Sequence, residues 1–184
     1  MAVEATPKPI PCRDDAKHRK LIGSVHPDVV PIVIHERVLE EIIDYSEEDM
    51  AREIGGFLIG GYHVDGTREY VEIRHFLPAV DARSQPASLT FTHDSWAHFH
   101  RQADQEYPGE MMVGWHHTHP NIGVFLSGFD QFIHRHFFSL PWQIALVVDP
   151  ARCELEFFQW RDGDIVDCGF VCIYDECPDR QEAG

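Results

Sequence analysis

The residues whose types and spacing could do chemistry are His117-Thr118-His119-Pro120 and, after six intervening residues, Ser127-Gly128-Phe129-Asp130. On a strand, residues i and i+2 project from one face, so the two imidazoles point the same way. Pro120 ends the strand and leaves both at a sheet end, near solvent. Ser127-x-x-Asp130 is a helix-start pattern. A loop that folds this first helical turn back against the strand end brings a carboxylate to the imidazoles. Two neutral nitrogens and one carboxylate suit Zn²⁺, and three protein ligands leave a fourth tetrahedral position open, the mark of a catalytic rather than a structural zinc. Taken singly, a His-x-His pair is usually two ordinary histidines, and Ser-x-x-Asp is usually a cap. Their combination at fixed spacing carries the metal reading. His134, one helical turn beyond Asp130, is the alternative ligand. His116 belongs to the opposite strand face and reads as structural or exposed. His93, His98 and His100 read as helix-surface residues.

These residues need elements to position them. Val38, Leu39, Ile42 and Ile43 recur at helical spacing and predict an amphipathic helix over 35–48. The apolar, glycine-rich run 54–63 predicts a strand, Asp65-Gly66 a hairpin turn, and 70–77 the returning strand. A short strand is expected over 89–91, then a helix capped by Thr92 or Asp94 and carrying Trp96 and Phe99. Residues 110–118 predict the strand with Val113, Trp115, His117 and His119 on one face. After the helix that begins at Ser127, strands are expected over 142–148, 155–160 and 165–174. Short turns at Asp149-Pro150 and Asp162-Gly163 join these three into an antiparallel meander. The expected fold class is α/β, one curved mixed β-sheet flanked by about three helices. Residues 1–30, proline-spaced and charged, read as an N-terminal arm, 31–175 as the domain proper, and 176–184 as an acidic C-terminal tail.

Composition narrows the partners. With 184 residues the chain suits one globular domain, and 43% hydrophobic residues exclude wholesale disorder. The 15 basic and 31 acidic residues give a net charge of −16. Such a surface repels phosphate backbones, so nucleic acid is not expected as a partner. The five cysteines form no C-x-x-C pair, which excludes zinc-ribbon and thioredoxin-type motifs. No apolar leader and no membrane-length apolar run stand out, so the expectation is a cytoplasmic protein without a membrane partner.

The pattern His-Ser/Thr-His-Pro, six residues, Ser-x-x-Asp is complete in this chain and resembles the JAMM signature of the MPN⁺ zinc metalloproteases. The run Phe125-Leu126-Ser127 resembles the family's aromatic-Leu-Ser sequence. Glu53, just before the strand Ile54-Gly55-Gly56-Phe57, resembles the family's required glutamate. The resemblance covers about residues 32–174. It implies a cytidine-deaminase-like architecture and one Zn²⁺ held by His117, His119 and Asp130. It also implies Glu53 as general base toward zinc-activated water, and Ser127 helping to stabilise the oxyanion. Asn121, where a glycine is frequent, and His116 beside the ligand pair depart from the pattern.

The implied activity is that of a deubiquitinase-like isopeptidase. It would cut the amide after the C-terminal glycine of ubiquitin or a ubiquitin-like protein, in deconjugation or precursor processing. Implied partners are those proteins and their conjugates, with E1-like or E2-like enzymes of the same operon, and a homodimer is compatible. Only about a dozen residues separate Asp130 from Trp142, so the chain resembles a compact prokaryotic-type member, of the kind that serves a ubiquitin-like conjugation or defence operon. Arg83 to Ser88 is either a substrate-contacting insertion or an ordinary loop. The same site also suits a sulfur-carrier processing peptidase or a peptidoglycan or phage-tail peptidase, and a non-catalytic interaction module is the remaining alternative.

Overall fold

Strands β4 (Gly55–Asp65), β5 (Arg68–Pro78), β6 (Met111–Thr118) and β7 (Ile144–Asp149) form the centre of one sheet. Their interiors are buried almost throughout, because helices cover both faces. The computed structural model describes residues 3–11, 18–79 and 93–174, the side chains of His93, Asp94 and Ser95 excepted. The expected strand at 89–91, the loop 83–88 and the tail 176–184 lie outside the described residues. The remaining elements are β1 (Thr6–Pro7), β2 (Arg19–Ile22), β3 (Ile32–His35), α1 (Glu36–Glu47), α2 (His93–Glu106), α3 (Gly128–Phe137), β8 (Glu154–Arg161), β9 (Asp164–Cys168) and β10 (Phe170–Ile173).

The strand order is β2-β10-β3-β5-β4-β6-β7-β8-β9, with β1 added in parallel to the far end of β4. The sheet is mixed: β3 runs parallel to β5 and β10, β6 parallel to β7, and the other pairs on this path are antiparallel. Both hairpin turns read from the sequence are present, and at Asp162-Gly163 both residues have positive φ, 50° and 88°. That is the turn geometry whose twist suits a two-residue hairpin.

Two expectations need correction. The run 165–174 is two strands rather than one, and only β7-β8-β9 form the antiparallel meander. The break falls at Gly169, where a Cβ would stand 2.6 Å from the Ile22 carbonyl oxygen. This backbone approach lets β10 cross to pair with β2 and β3. The sheet curls to allow it, so that Phe157 of β8 meets Phe170 of β10 with ring centroids 4.9 Å apart. Further, parts of the segment read as an arm are paired into the sheet, as β1 and β2. Lys8 reaches the buried Glu72 carboxylate, and the Tyr70 hydroxyl donates to the Pro9 carbonyl at 3.0 Å.

The core has two layers, one on each face of the sheet. Val38, Ile42 and Tyr45 of α1 pack with Leu58, Ile73, Val113 and Leu146. On the other face Phe99 of α2 and Ile133 of α3 pack with Phe57, Trp115 and Val147. Strand alternation from Gly114 onward assigns His116 to the α1 face and Trp115, His117 and His119 to the face under α2 and α3. A third correction concerns Val113, expected on the face of Trp115: it packs on the α1 face instead, because the β4–β6 register shifts between Leu58 and Ile59 and leaves Val113 as the extra residue of a bulge. Among the described residues no helix is long and apolar enough to cross a membrane.

Candidate metal centre

His117 is the penultimate residue of β6, and His119 follows the last one. The His119 N–H donates to the Val148 carbonyl at 2.8 Å, which extends the pairing past Thr118. Both imidazoles are buried, with 1% and 2% of their surface exposed. Asp130 arrives from the first turn of α3. The Ser127 hydroxyl accepts the Asp130 N–H at 3.2 Å, and the Ser127 N–H donates to Asp130 Oδ2 at 2.7 Å. Cap and ligand are therefore compatible roles, because this reciprocal capping box aims the carboxylate at the strand end.

The three donor groups converge. His117 Nε2 and His119 Nε2 are 3.2 Å apart, His117 Nε2 lies 3.4 Å from Asp130 Oδ1, and His119 Nε2 lies 3.5 Å from Asp130 Oδ2. A tetrahedral ion with ligands at about 2.0–2.1 Å has edges of about 3.3–3.4 Å between ligand atoms. The donor set and its spacing fit one zinc ion. Among the described residues this is the one group of three or more His, Cys, Asp or Glu side chains close enough to share a metal.

Electrostatics and hydrogen bonds support a ligand role. Burial opposes ionisation of Asp130, but the neighbouring His117, His119 and Ser127 outweigh it and hold the carboxyl well below its usual range. Burial likewise opposes protonation of His119, while Asp130 and Glu53 favour it, with a net upward shift. His119 Nδ1 lies 3.2 Å from the Gly123 carbonyl, which only accepts, so Nδ1 carries the proton and Nε2 presents a lone pair. Gly123 is held in turn by Asp149, whose Oδ2 takes its N–H at 2.7 Å and whose Oδ1 takes that of Asn121 at 2.8 Å. Asp149 is fully buried. Burial alone would raise its carboxyl pKa, but four backbone amides, Gly123, Asn121, Arg152 and Ala151, lower it. Asp149-Pro150 by itself signals only a turn; a carboxylate closing the all-apolar run 144–148 is the sequence sign of a structural hub.

Glu53 stands beside the triad without joining it. Its Oε1 is 3.9 Å from His119 Nε2, and its side chain remains 34% exposed. Asp49 organises the approach, accepting the Ala51 and Arg52 amides at 3.0 Å and the Arg52 guanidinium Nε at 2.8 Å. His134 is not placed among the ligand atoms: its Nδ1 accepts the Trp115 indole N–H at 3.1 Å. His116 is fully buried on the other face, against Ser46 Oγ at 3.1 Å, and burial pushes its pKa down to about 3. His98 and His100 are exposed on α2.

The fold and site together define an α/β protein with a His-His-Asp cluster where a buried strand meets a capped helix. Residues 27–140 match the JAB1/Mov34/MPN/PAD-1 ubiquitin protease family, and the chain belongs to it. The 26S proteasome non-ATPase regulatory subunit 14 of Drosophila melanogaster is 48% identical over 130 residues, 66% of this chain and 39% of that protein. The ubiquitin carboxyl-terminal hydrolase RPN11 of Saccharomyces cerevisiae is 25% identical over 142 residues, 76% of this chain and 41% of that protein. Across the curated relatives it matches, the chain spans well under half of their length, from 27% to 41%. A solution structure of protein DSY2949 from Desulfitobacterium hafniense shares the fold, with a TM-score of 0.56 and 20% identity over 79% of this chain and 93% of that one.

Proposed function

We propose that the chain is a zinc-dependent peptidase that cleaves the amide after the C-terminal glycine of ubiquitin or a ubiquitin-like protein. The observation that carries this reading is the triangle of donor atoms with 3.2–3.5 Å edges and a glutamate beside it that is not one of them. His117, His119 and Asp130 would hold the ion. When bound, zinc supplies Lewis acidity, polarising the scissile carbonyl and bringing the pKa of water down to about 7. Glu53, half-exposed and outside the ligand set, takes the proton of the attacking water and returns it to the leaving amine. The Ser127 oxygen already accepts the Asp130 N–H, so its own proton is free to be donated to the developing oxyanion. Ser127 is not the nucleophile on this reading, because both nearby histidines are engaged as ligands and neither is left to act as its base.

The family membership and the names of the relatives support the substrate class. The test is purified protein with its zinc content measured, incubated with linear and isopeptide-linked fusions of ubiquitin-like proteins. Close to one zinc per chain and a cut after the terminal glycine are expected. A zinc-loaded protein that leaves every such fusion intact but cuts peptidoglycan stems overturns the substrate. A folded protein that takes up no zinc overturns the catalytic reading and leaves the interaction module.

A further inference from the structure

The two histidine ligands are not held alike. His119 fixes its ring through Nδ1 and the Gly123 carbonyl, whereas His117 Nδ1 is buried with no hydrogen-bond partner. Metal-ligating histidines normally gain orientation and basicity from such a bond. What meets the His117 ring instead is Trp115, two residues back on the same strand face, stacked on it at 4.6 Å between centroids and 10° between planes. The indole is tethered at its other end, where Nε1–H donates to His134 Nδ1 at 3.1 Å. His134 is fully buried and stacks against Trp160 at 5.3 Å and Phe138 at 6.1 Å.

We infer that His134 is a positioning residue for the metal centre, setting the plane of the His117 imidazole through the Trp115 indole. The contacts run in parallel between β6 and α3: Asp130 faces His117 and His119, and four residues later, on the same side of the helix, His134 faces Trp115. Only an imidazole with Nδ1 unprotonated can accept the indole proton. Burial favours that neutral form, lowering the His134 pKa to about 4. The inference rests on the metal reading of His117, His119 and Asp130. It assigns to His134 a role in the site without making it a ligand.

The test is zinc affinity by chelator competition, alongside the thermal midpoint of the metal-free protein. His134→Phe keeps a ring in the aromatic stack and removes the acceptor. Trp115→Phe keeps a ring against His117 and removes the donor. The double variant Trp115→Phe/His134→Phe leaves no polar group of the pair unsatisfied, so it folds even where a single variant does not. Each should bind zinc about 10- to 100-fold more weakly, with the double variant no worse than the singles, because all three break one bond. His134→Gln, which offers an amide oxygen in place of Nδ1, should recover much of the affinity. Ile42→Val, on the opposite face, should lower the midpoint and leave zinc affinity unchanged. Wild-type zinc affinity in folded His134→Phe or in the double variant overturns the inference while leaving the metal centre standing. A wild-type chain that binds no zinc overturns both.

Discussion

Ile54 and Thr118 are joined twice: the Ile54 N–H donates to the Thr118 hydroxyl at 2.9 Å, and the Thr118 N–H donates to the Ile54 carbonyl at 2.8 Å. Thr118 lies between His117 and His119, and Ile54 follows Glu53. The register of β4 on β6 sets Gly55 opposite His117, and the Ile54–Thr118 pair continues it, so Glu53 arrives beside His119. Thr118→Val removes the hydroxyl at nearly constant shape and leaves the buried Ile54 N–H with one partner fewer. The cost should be about 1–3 kcal/mol of stability. Turnover should fall while zinc stays bound, because the shift is on the Glu53 side, and Thr118→Ser should restore both. Denaturant midpoints, zinc content and single-turnover rates check this; a Thr118→Val protein with normal rate removes the link to Glu53.

Glu53 and Asp130 are both carboxylates at the site, yet they should respond differently to loss of charge. Glu53→Gln should keep zinc, fold and substrate binding and lose about 10²–10⁴ in rate, the usual cost of removing a general base. Asp130→Asn should lose zinc affinity and activity together. Zinc content measured beside single-turnover rate separates the two, and a near-normal rate in Glu53→Gln sinks its assignment. Chelation should abolish turnover in the wild-type chain and leave the near-UV spectrum of a folded domain, because neither apolar layer includes His117, His119 or Asp130.

Asp149 offers a third route to the same centre. Its carboxylate collects the amides of Asn121, Gly123, Ala151 and Arg152. The first two belong to the loop that leaves His119, where Asn121 has a φ of 62° and Gly123 one of 90°. Asp149→Asn keeps one acceptor oxygen and puts an amide group where a second was. The buried backbone donors it fails to satisfy should cost about 1–3 kcal/mol. Zinc affinity should fall as well, since the Gly123 carbonyl that orients His119 loses its anchor. Unchanged zinc affinity alongside a lowered denaturant midpoint would restrict Asp149 to stability alone.

Local patterns made much of this site legible. Period-two alternation assigns Trp115, His117 and His119 to one face and His116 to the other, and Ser-x-x-Asp places Asp130 in a first helical turn. What could not be read is pairing between distant segments. Nothing local in Glu53-Ile54 says that it lies against Thr118; the resemblance to a family implies that Glu53 acts at the site, but not this pairing. At Asp149 the strength of Asp-Pro as a turn signal accounts only for the local amides of Ala151 and Arg152, while the other two partners, Asn121 and Gly123, come from a loop before α3. The crossing of β10 was hidden for the same reason. Its apolar run continues that of β9, and Gly169 becomes a break only because β2 approaches it. Lys8 belongs to a proline-spaced segment with no local sign of a partner, and Glu72, which it meets, lies far along the chain.

That partner gives the last prediction, on stability against pH. The Glu72 side chain is 2% exposed and meets Lys8, His35 Nε2 at 3.0 Å and Arg74 at 2.8 Å, with His63 Nε2 3.4 Å away. Burial alone would raise its pKa; hydrogen bonds from His35 and Lys8 and the charges of Arg74 and Lys8 more than reverse this and bring it from 4.5 down to about 2. A carboxylate with a depressed folded pKa contributes stability that is present in full above its unfolded value and is lost as pH falls toward the folded one. The contribution, on the order of 3 kcal/mol, should therefore hold at neutral pH and fade between about pH 4.5 and about pH 2. Glu72→Gln should be least stable relative to wild type near neutral pH, with the difference shrinking as the medium is acidified through that window. Denaturant midpoints of both proteins from about pH 7 to about pH 3 measure it. A difference that stays flat across the window would mean that Glu72 does not hold its charge as this geometry requires. Because Lys8 is one of its partners, the same acidification should loosen the β1 segment, and faster amide exchange at Lys8, whose N–H donates to the Val64 carbonyl at 3.0 Å, is the local sign to look for.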